Sequence, residues 1–225
     1  MGLFVIMLKD YVGRFAPSPS GQLHFGSLVT AVASFLDARS NQGTWLLRME
    51  DIDEPRCIPG VDKDILRTLE THALTWDSDV IYQSQQHERY QSVVNTLLEK
   101  GIAYYCACTR KQIKTMGGTY NGHCRHSGLS PSNSNEQLAV RLKMERGLEE
   151  FDDIIMGNVQ PDNVLSTNQS TEVSASQPNN SSAFLKTEDV VIKRRDGLFS
   201  YNLVVILDDV FQGVNHVLRG CDLLD

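Results

Sequence analysis

The chain of 225 residues lacks any apolar run approaching the roughly 18 residues that a membrane-crossing helix needs. It also lacks a recognisable leader: the apolar stretch in MGLFVIMLKD has no basic residues before it and no small-residue cleavage site after it, so it reads as a strand or a frayed extension. Met1-Gly2 is followed by Leu3, Phe4, Val5 and Ile6, without the serine or threonine of a myristoylation signal. A soluble, cytoplasmic protein is expected. An excess of positive charge is missing too. With 21 Lys+Arg against 28 Asp+Glu the formal charge is −7, which argues against wholesale electrostatic capture of nucleic acid, though a local basic face can still bind phosphates. There are only five cysteines; Cys106, Cys108 and Cys124 share one short stretch, while Cys57 and Cys221 stand alone. That pattern favours a metal site in a reducing compartment over a disulfide framework. No internal repeat is present. From Gly147 to Leu185 there is no lysine or arginine, and 166–182 are mostly Ser, Thr, Asn and Gln. Such a composition cannot bury enough apolar surface to order itself, so 160–183 are expected to form a floppy loop that protease cuts first.

What is present suffices for a sizeable core: 41% of residues are hydrophobic and 22% charged, enough for one domain or one domain with an inserted piece. YVGRFA (11–16) alternates as a strand does and runs into the loop PSPSGQLHFG, after which Leu28, Val29, Val32, Phe35 and Leu36 recur at helical spacing. A second strand, TWLLRM (44–49), ends in Glu50-Asp51 and completes a parallel strand-helix-strand unit. Ligands of such sheets sit beyond the carboxyl ends of the strands, where the PSPSG loop and Glu50 fall. Val61, Ile65, Leu66 and Leu69 predict one further helix; Tyr90, Val93, Val94, Leu97 and Leu98 predict another, closed by Gly101. Residues 102–128 turn loop-like and rich in Cys, Gly and His, as an inserted subdomain would. Two apolar runs flank Asp196-Gly197, the pattern of a tight hairpin.

Two constellations carry chemistry. A loop of small residues between strand and helix lets backbone N–H groups and the helix N-terminus approach a phosphate, with His24 as a further donor. An ordinary turn with an exposed histidine explains the same string. Cys106-x-Cys108 and, on a nearby loop, Cys124 suit tetrahedral zinc, which takes a fourth N, S or O ligand. By generic preference that ligand is His123 or His126.

RFAPSPSGQLHFGSL (14–28) resembles the HIGH-type signature of class I aminoacyl-tRNA synthetases in its glutamate-specific form, here His24-Phe25-Gly26-Ser27. The resemblance continues through LLRMEDID, CACTR and RRDGLFSYNLVVILDDVFQGVNHVLRGCDLL, most of the chain except the polar loop. The spacing of Cys106, Cys108, Tyr120 and Cys124 is similar to that of glutamyl-queuosine tRNA(Asp) synthetases and points to Tyr120 as the fourth zinc ligand.

The resemblance implies an α/β fold: a Rossmann-type nucleotide-binding class I synthetase core with a small zinc-binding insertion. Residues 1–101 would form the first half and 102–146 the zinc-binding subdomain. An acidic and polar, largely disordered loop (147–188) and the second half of the core (189–225) would follow, ending before the KMSKS-like region. It further implies glutamate binding by Arg14, Phe15, Ala16, Pro17, Ser18, Glu50, Tyr201 and Arg219. Glu50 would face the ammonium, and Arg219 with Arg14 the carboxylates. ATP, with Mg²⁺, would be held by Pro17, Ser18, His24, Gly26 and Ser27, with His24 and Gly26 as catalytic positions. The product would be glutamyl-adenylate, and the acceptor the queuosine base of tRNA(Asp). A monomer is expected, with Zn²⁺ bound and no membrane partner. Because the lysine of a KMSKS-like loop stabilises the transferring phosphate, a chain stopping at Asp225 is expected to activate glutamate feebly. A fragment of a conventional glutamyl-tRNA synthetase and an inactive zinc- and nucleotide-binding remnant are the alternatives.

Overall fold

A computed structural model describes residues 10–132, 137–144, 150–159 and 188–220. Two compact units are formed, one within Met1–Thr96 and Ile192–Gly220, the other within Leu97–Val191. In the first unit β1 (Val12–Phe15) leads through α1 (Phe25–Ser40) to β2 (Thr44–Met49), and the two strands pair in parallel with Val12 opposite Thr44 and Phe15 opposite Leu47. After α2 (Val61–Thr71), the two-residue β3 (Ile81–Tyr82) joins the other edge of β2, also in parallel. The strand-helix-strand unit expected from the sequence is therefore present.

Strand β2 is buried along nearly its whole length, as a parallel strand covered on both faces should be. Helix α1 meets it through its small residues Ala31, Ser34 and Ala38, which let the backbone come close. The buried Trp45 indole N–H donates to Ser34 Oγ at 3.0 Å, and that hydroxyl donates to the Ala31 carbonyl, so neither polar group is orphaned. Phe15 and Phe35 pack on the Trp45 ring, stacked and edge-on respectively. In α2, Val61, Ile65 and Leu69 recur every four residues and complete this core. Helix α3 (His87–Glu99) closes at Gly101, whose φ of +66° lets Ile102 N–H reach back to the Leu97 carbonyl at 2.9 Å.

The second unit corrects one expectation. Residues 102–128 are not loop throughout: β4 (Ala103–Cys106) and α4 (Arg110–Thr115) lie within them, α4 being opened by a reciprocal Thr109–Gln112 capping box. β4 pairs antiparallel with β5 (Ala139–Leu142). β6 (Phe151–Asp153) and β7 (Gly157–Val159) form a hairpin whose turn is held by Asp153 Oδ1, the acceptor for the Ile155 and Met156 amides. β8 (Val190–Lys193) completes the sheet in the order β4-β5-β8 and leads the chain back to the first unit. The segment 160–183, expected to be floppy, lies outside the described residues.

A second correction concerns Asp196-Gly197. The turn exists, with Gly197 at φ +91° and Arg194 N–H donating to the Leu198 carbonyl at 2.7 Å. Only the first apolar run is a strand, however. The second winds into α5 (Tyr201–Gln212), ended by Gly213 at φ +69°. A strand would send Asp208 and Asp209 to opposite faces; the helix buries Leu203, Val204, Val205 and Asp208 together. Tertiary pairing of the acids thus outweighs the strand preference of a Val/Ile-rich run. Past α5 the chain returns to β1, where Asn215 Oδ1 accepts from Val12 N–H at 2.9 Å and the Asn215 and His216 amides donate to the Val12 carbonyl. Among the described residues no helix is long and apolar enough to cross a membrane.

Candidate functional site

The loop after β1 is tied to the end of β2 by the Glu50 amide, which donates to the Pro17 carbonyl at 2.9 Å, and the Ile58 amide does the same for Pro19. Phe15 and Pro17 are buried and Ala16 half-buried, which anchors the loop while Ser18 stays exposed. His24 caps α1: its Nδ1 accepts from the Ser27 amide at 3.3 Å, and its Nε2 lies 2.9 Å from Ser27 Oγ. Acceptance at Nδ1 puts the proton of the neutral ring on Nε2. Gly26 makes this possible, since a Cβ there would lie 3.1 Å from the His24 ring. The result is an exposed helix N-terminus with free backbone donors and a histidine folded over it, the chemistry that suits a phosphate.

Near the carboxyl ends of β1 and β2, beside α5, lies a buried ionic cluster. Arg48 is fully buried; its Nη1 donates to Asp209 Oδ1 and Gln212 Oε1, each at 2.8 Å, and its Nη2 to Glu50 Oε1 at 3.2 Å. Arg14 Nε donates to the same Asp209 oxygen at 3.3 Å. Asp208 is fully buried and accepts from Gln83, Tyr90 and Arg89. Burial pushes the Glu50 carboxyl above its ordinary range, and the pull of Arg48 and Arg14 offsets only part of it. Tyr201, at the head of α5 and partly exposed, has its phenol pushed up by burial and by Glu50, while Arg14, Arg219 and Arg48 draw it down. Four of the residues assigned to glutamate, Arg14, Glu50, Tyr201 and Arg219, are thereby brought into one electrostatic neighbourhood.

In the second unit the Sγ atoms of Cys106, Cys108 and Cys124 lie within 4.8 Å of one another. The Tyr120 hydroxyl oxygen joins them: it accepts from Cys106 Sγ at 3.6 Å and from the Cys124 amide at 2.9 Å. Tyr104 hydroxyl is 3.3 Å away, and the Arg141 guanidinium sits 3.8 Å over the Tyr120 ring. His123 and His126 are exposed, so they do not share this buried group. Burial, followed by the neighbouring thiols, pushes the Cys108 thiol up to about 12. For Cys106 burial acts the same way but is outweighed by the Cys108 amide, Tyr120 and Arg141, and its thiol is lowered. Three sulfurs and a phenol oxygen packed this closely form a donor set that fits a zinc ion.

The model of the family of class I tRNA synthetases (E and Q), catalytic domain, matches residues 11–225. The chain belongs to that family. Among curated relatives of this synthetase-family chain, the glutamyl-Q tRNA(Asp) synthetase of Vibrio cholerae is 47% identical over 96% of the chain, and that of Photobacterium profundum 50% identical over 98%. The Escherichia coli K12 glutamyl-Q tRNA(Asp) synthetase is 46% identical over 96%. The chain spans 64%, 64% and 62% of their respective lengths. A solved glutamate tRNA ligase of Elizabethkingia meningosepticum, in complex with its amino acid, superposes over 96% of the chain and 44% of its own, with a TM-score of 0.75 and 25% identity.

Reading the sequence for this synthetase fold missed Arg48, Asp208 and Asp209. A signal for them existed. Two adjacent aspartates inside the apolar run VVILDDVF cannot be buried unless cations meet them. Nothing in the string says which arginines those are.

Proposed function

We propose that this chain activates L-glutamate with ATP and serves the transfer of the glutamyl group to the queuosine base of tRNA(Asp). The observation that carries this reading is the gathering of Arg14, Glu50, Tyr201 and Arg219 near the carboxyl ends of two parallel strands, in a unit that also holds a helix N-terminus capped by His24. A glutamate α-carboxylate oxygen attacks the α-phosphorus of ATP and pyrophosphate leaves; a nucleophile of the queuosine base then takes the acyl group and AMP leaves. Glu50 holds the ammonium, Arg14 and Arg219 the carboxylates, with Ser18 and Tyr201 as hydroxyl partners. His24, Gly26, Ser27 and the Pro17-Ser18 backbone would hold ATP, and the Mg²⁺ bound with it would offset phosphate charge. Cys106, Cys108, Cys124 and Tyr120 would hold a zinc ion, which would fix the fold of the second unit.

The names of the relatives support the queuosine acceptor, and the likeness to a glutamate tRNA ligase favours a conventional glutamyl-tRNA synthetase as the second reading. ATP–pyrophosphate exchange separates them. Exchange with glutamate but not glutamine or aspartate, abolished by Arg219→Ala and independent of tRNA, is expected for the first. Exchange only in the presence of tRNA would favour the second. Elemental analysis tests the metal: about one zinc per chain, lost in Cys124→Ser and reduced in Tyr120→Phe. Full zinc in both variants would overturn the ligand set.

A further inference from the structure

We propose that Asp209 is a positioning residue of the glutamate pocket, keeping the two substrate-facing charges, Arg14 and Glu50, from neutralising each other. The inference rests on the functional reading above. A guanidinium offers two donor edges, one through Nε and one between the terminal nitrogens. Asp209 takes the Nε of Arg14 at 3.3 Å, and among the described residues the terminal nitrogens of Arg14 have no hydrogen-bond partner. The same Asp209 oxygen receives Arg48 Nη1 at 2.8 Å, and Arg48 spends its other terminal nitrogen on Glu50 at 3.2 Å. The result is a cross-pairing. Each substrate-facing group is held by a partner of its own, the cation by Asp209 and the anion by Arg48.

Charge balance supports this assignment. Arg14 and Arg48 match Glu50 and Asp209, while Asp208 is matched by Arg89. Within this set no cation is in surplus, and Arg219 adds one positive charge to the neighbourhood, which suits an amino acid carrying two carboxylates and one ammonium. Remove the charge of Asp209 and Arg14 loses the charged partner of its Nε edge, while Glu50 is an anion that Arg14 already attracts. An Arg14–Glu50 pair would then occupy both groups that the substrate needs. Gln212 keeps Arg48 in place through its own contact at 2.8 Å, so the effect on Arg14 is separable from collapse of the cluster.

The experiment is calorimetric titration of glutamate and, separately, of ATP into the wild-type chain, Asp209→Asn, Asp209→Glu, Arg14→Ala and the Arg14→Ala/Asp209→Asn double variant. Loss of one charge-assisted contact should weaken glutamate about tenfold or more in Asp209→Asn, with ATP affinity unchanged within about twofold. In the Arg14→Ala background the same substitution should add less than about threefold, because its effect passes through Arg14. A purely structural residue would give additive losses and weaken ATP as well, and either result overturns the proposal. Should Asp209→Asn fail to fold, Asp209→Glu, which keeps the charge but displaces it by one methylene, is expected to lose glutamate selectively; unchanged affinity there is equally decisive against it. A wild-type chain that binds ATP but not glutamate would overturn the functional reading together with this inference, whereas wild-type binding undiminished in Asp209→Asn would overturn this inference alone.

Discussion

At Gly43 the absence of a side chain has a mechanical reason. A Cβ there would stand 2.6 Å from the carbonyl oxygen and Cβ of Tyr11, and that carbonyl accepts the Thr44 amide at 2.8 Å as β2 begins. Gly43→Ala must therefore push β1 and β2 apart or twist the turn, and a loss of about 1–3 kcal/mol is expected in urea denaturation. Gly26 is a milder case, with His24 ring atoms at 3.1 and 3.2 Å from a Cβ. A ring can swing where a backbone cannot, so Gly26→Ala is expected to keep the fold and displace His24. Residues that act locally were the legible ones: His24, Gly26 and Ser27 lie within one turn of helix, and their geometry follows from their order. Arg48 and Asp209 are 161 positions apart and become partners only once α5 is placed. The carboxylate that orients Arg14 was for the same reason beyond the reach of spacing.

Arg39 clasps the last turn of α1 to its surroundings. Its guanidinium takes both oxygens of Asp77, at 2.6 and 3.0 Å, together with the Thr75 carbonyl, and Asp77 in turn receives the Trp45 amide at the start of β2 at 2.7 Å. The hydrogen bond from Arg39, aided by the Trp45 amide, holds the Asp77 carboxyl below its ordinary value despite its partial burial. A carboxylate with a lowered folded pKa adds stability that is fully present above its unfolded value of about 3.9 and vanishes as pH falls through the folded one. Asp77→Asn is expected to lower stability by about 1 kcal/mol at neutral pH, counting an exposed ion pair and a weakened amide contact. Thermal melts at falling pH check it: the gap between wild type and variant should close below the folded pKa, and a gap that persists there would point to packing instead. Elements whose apolar period stands alone were readable, β2 to its end residues and α2 by its four-residue repeat. Helix α5 was not, because Val, Ile and Leu in a row suit either geometry and the deciding interaction is the burial of Asp208 among Gln83, Arg89 and Tyr90, far upstream.

At the scale of the whole chain the two units rest on different chemistry: a core around Trp45, Leu47 and Leu69 in the first, and in the second a small cluster of Tyr104, Cys106, Tyr120 and Cys124. With zinc held as proposed, a structural ion contributes on the order of 10 kcal/mol to such a small cluster. Chelation is accordingly expected to accelerate amide exchange in Ala103–Cys106 and Arg110–Thr115 while leaving Val12–Phe15 and Thr44–Met49 protected. Exchange that rises equally in both sets would show that the metal does not act on the second unit alone. The return of the chain to β1 also orders events in time. Val12 receives its partner Asn215 from 203 residues further on, an interval of about 10 to 40 seconds at ordinary rates of synthesis. During that interval the segment bearing Cys106, Cys108 and Cys124 is synthesised, while the first strand waits with one edge unpaired. The glutamate pocket as proposed, with Tyr201, Asp209 and Arg219, is thus among the last parts to be assembled, and in the nascent chain the exposed strand edge to be kept from association is that of the first strand.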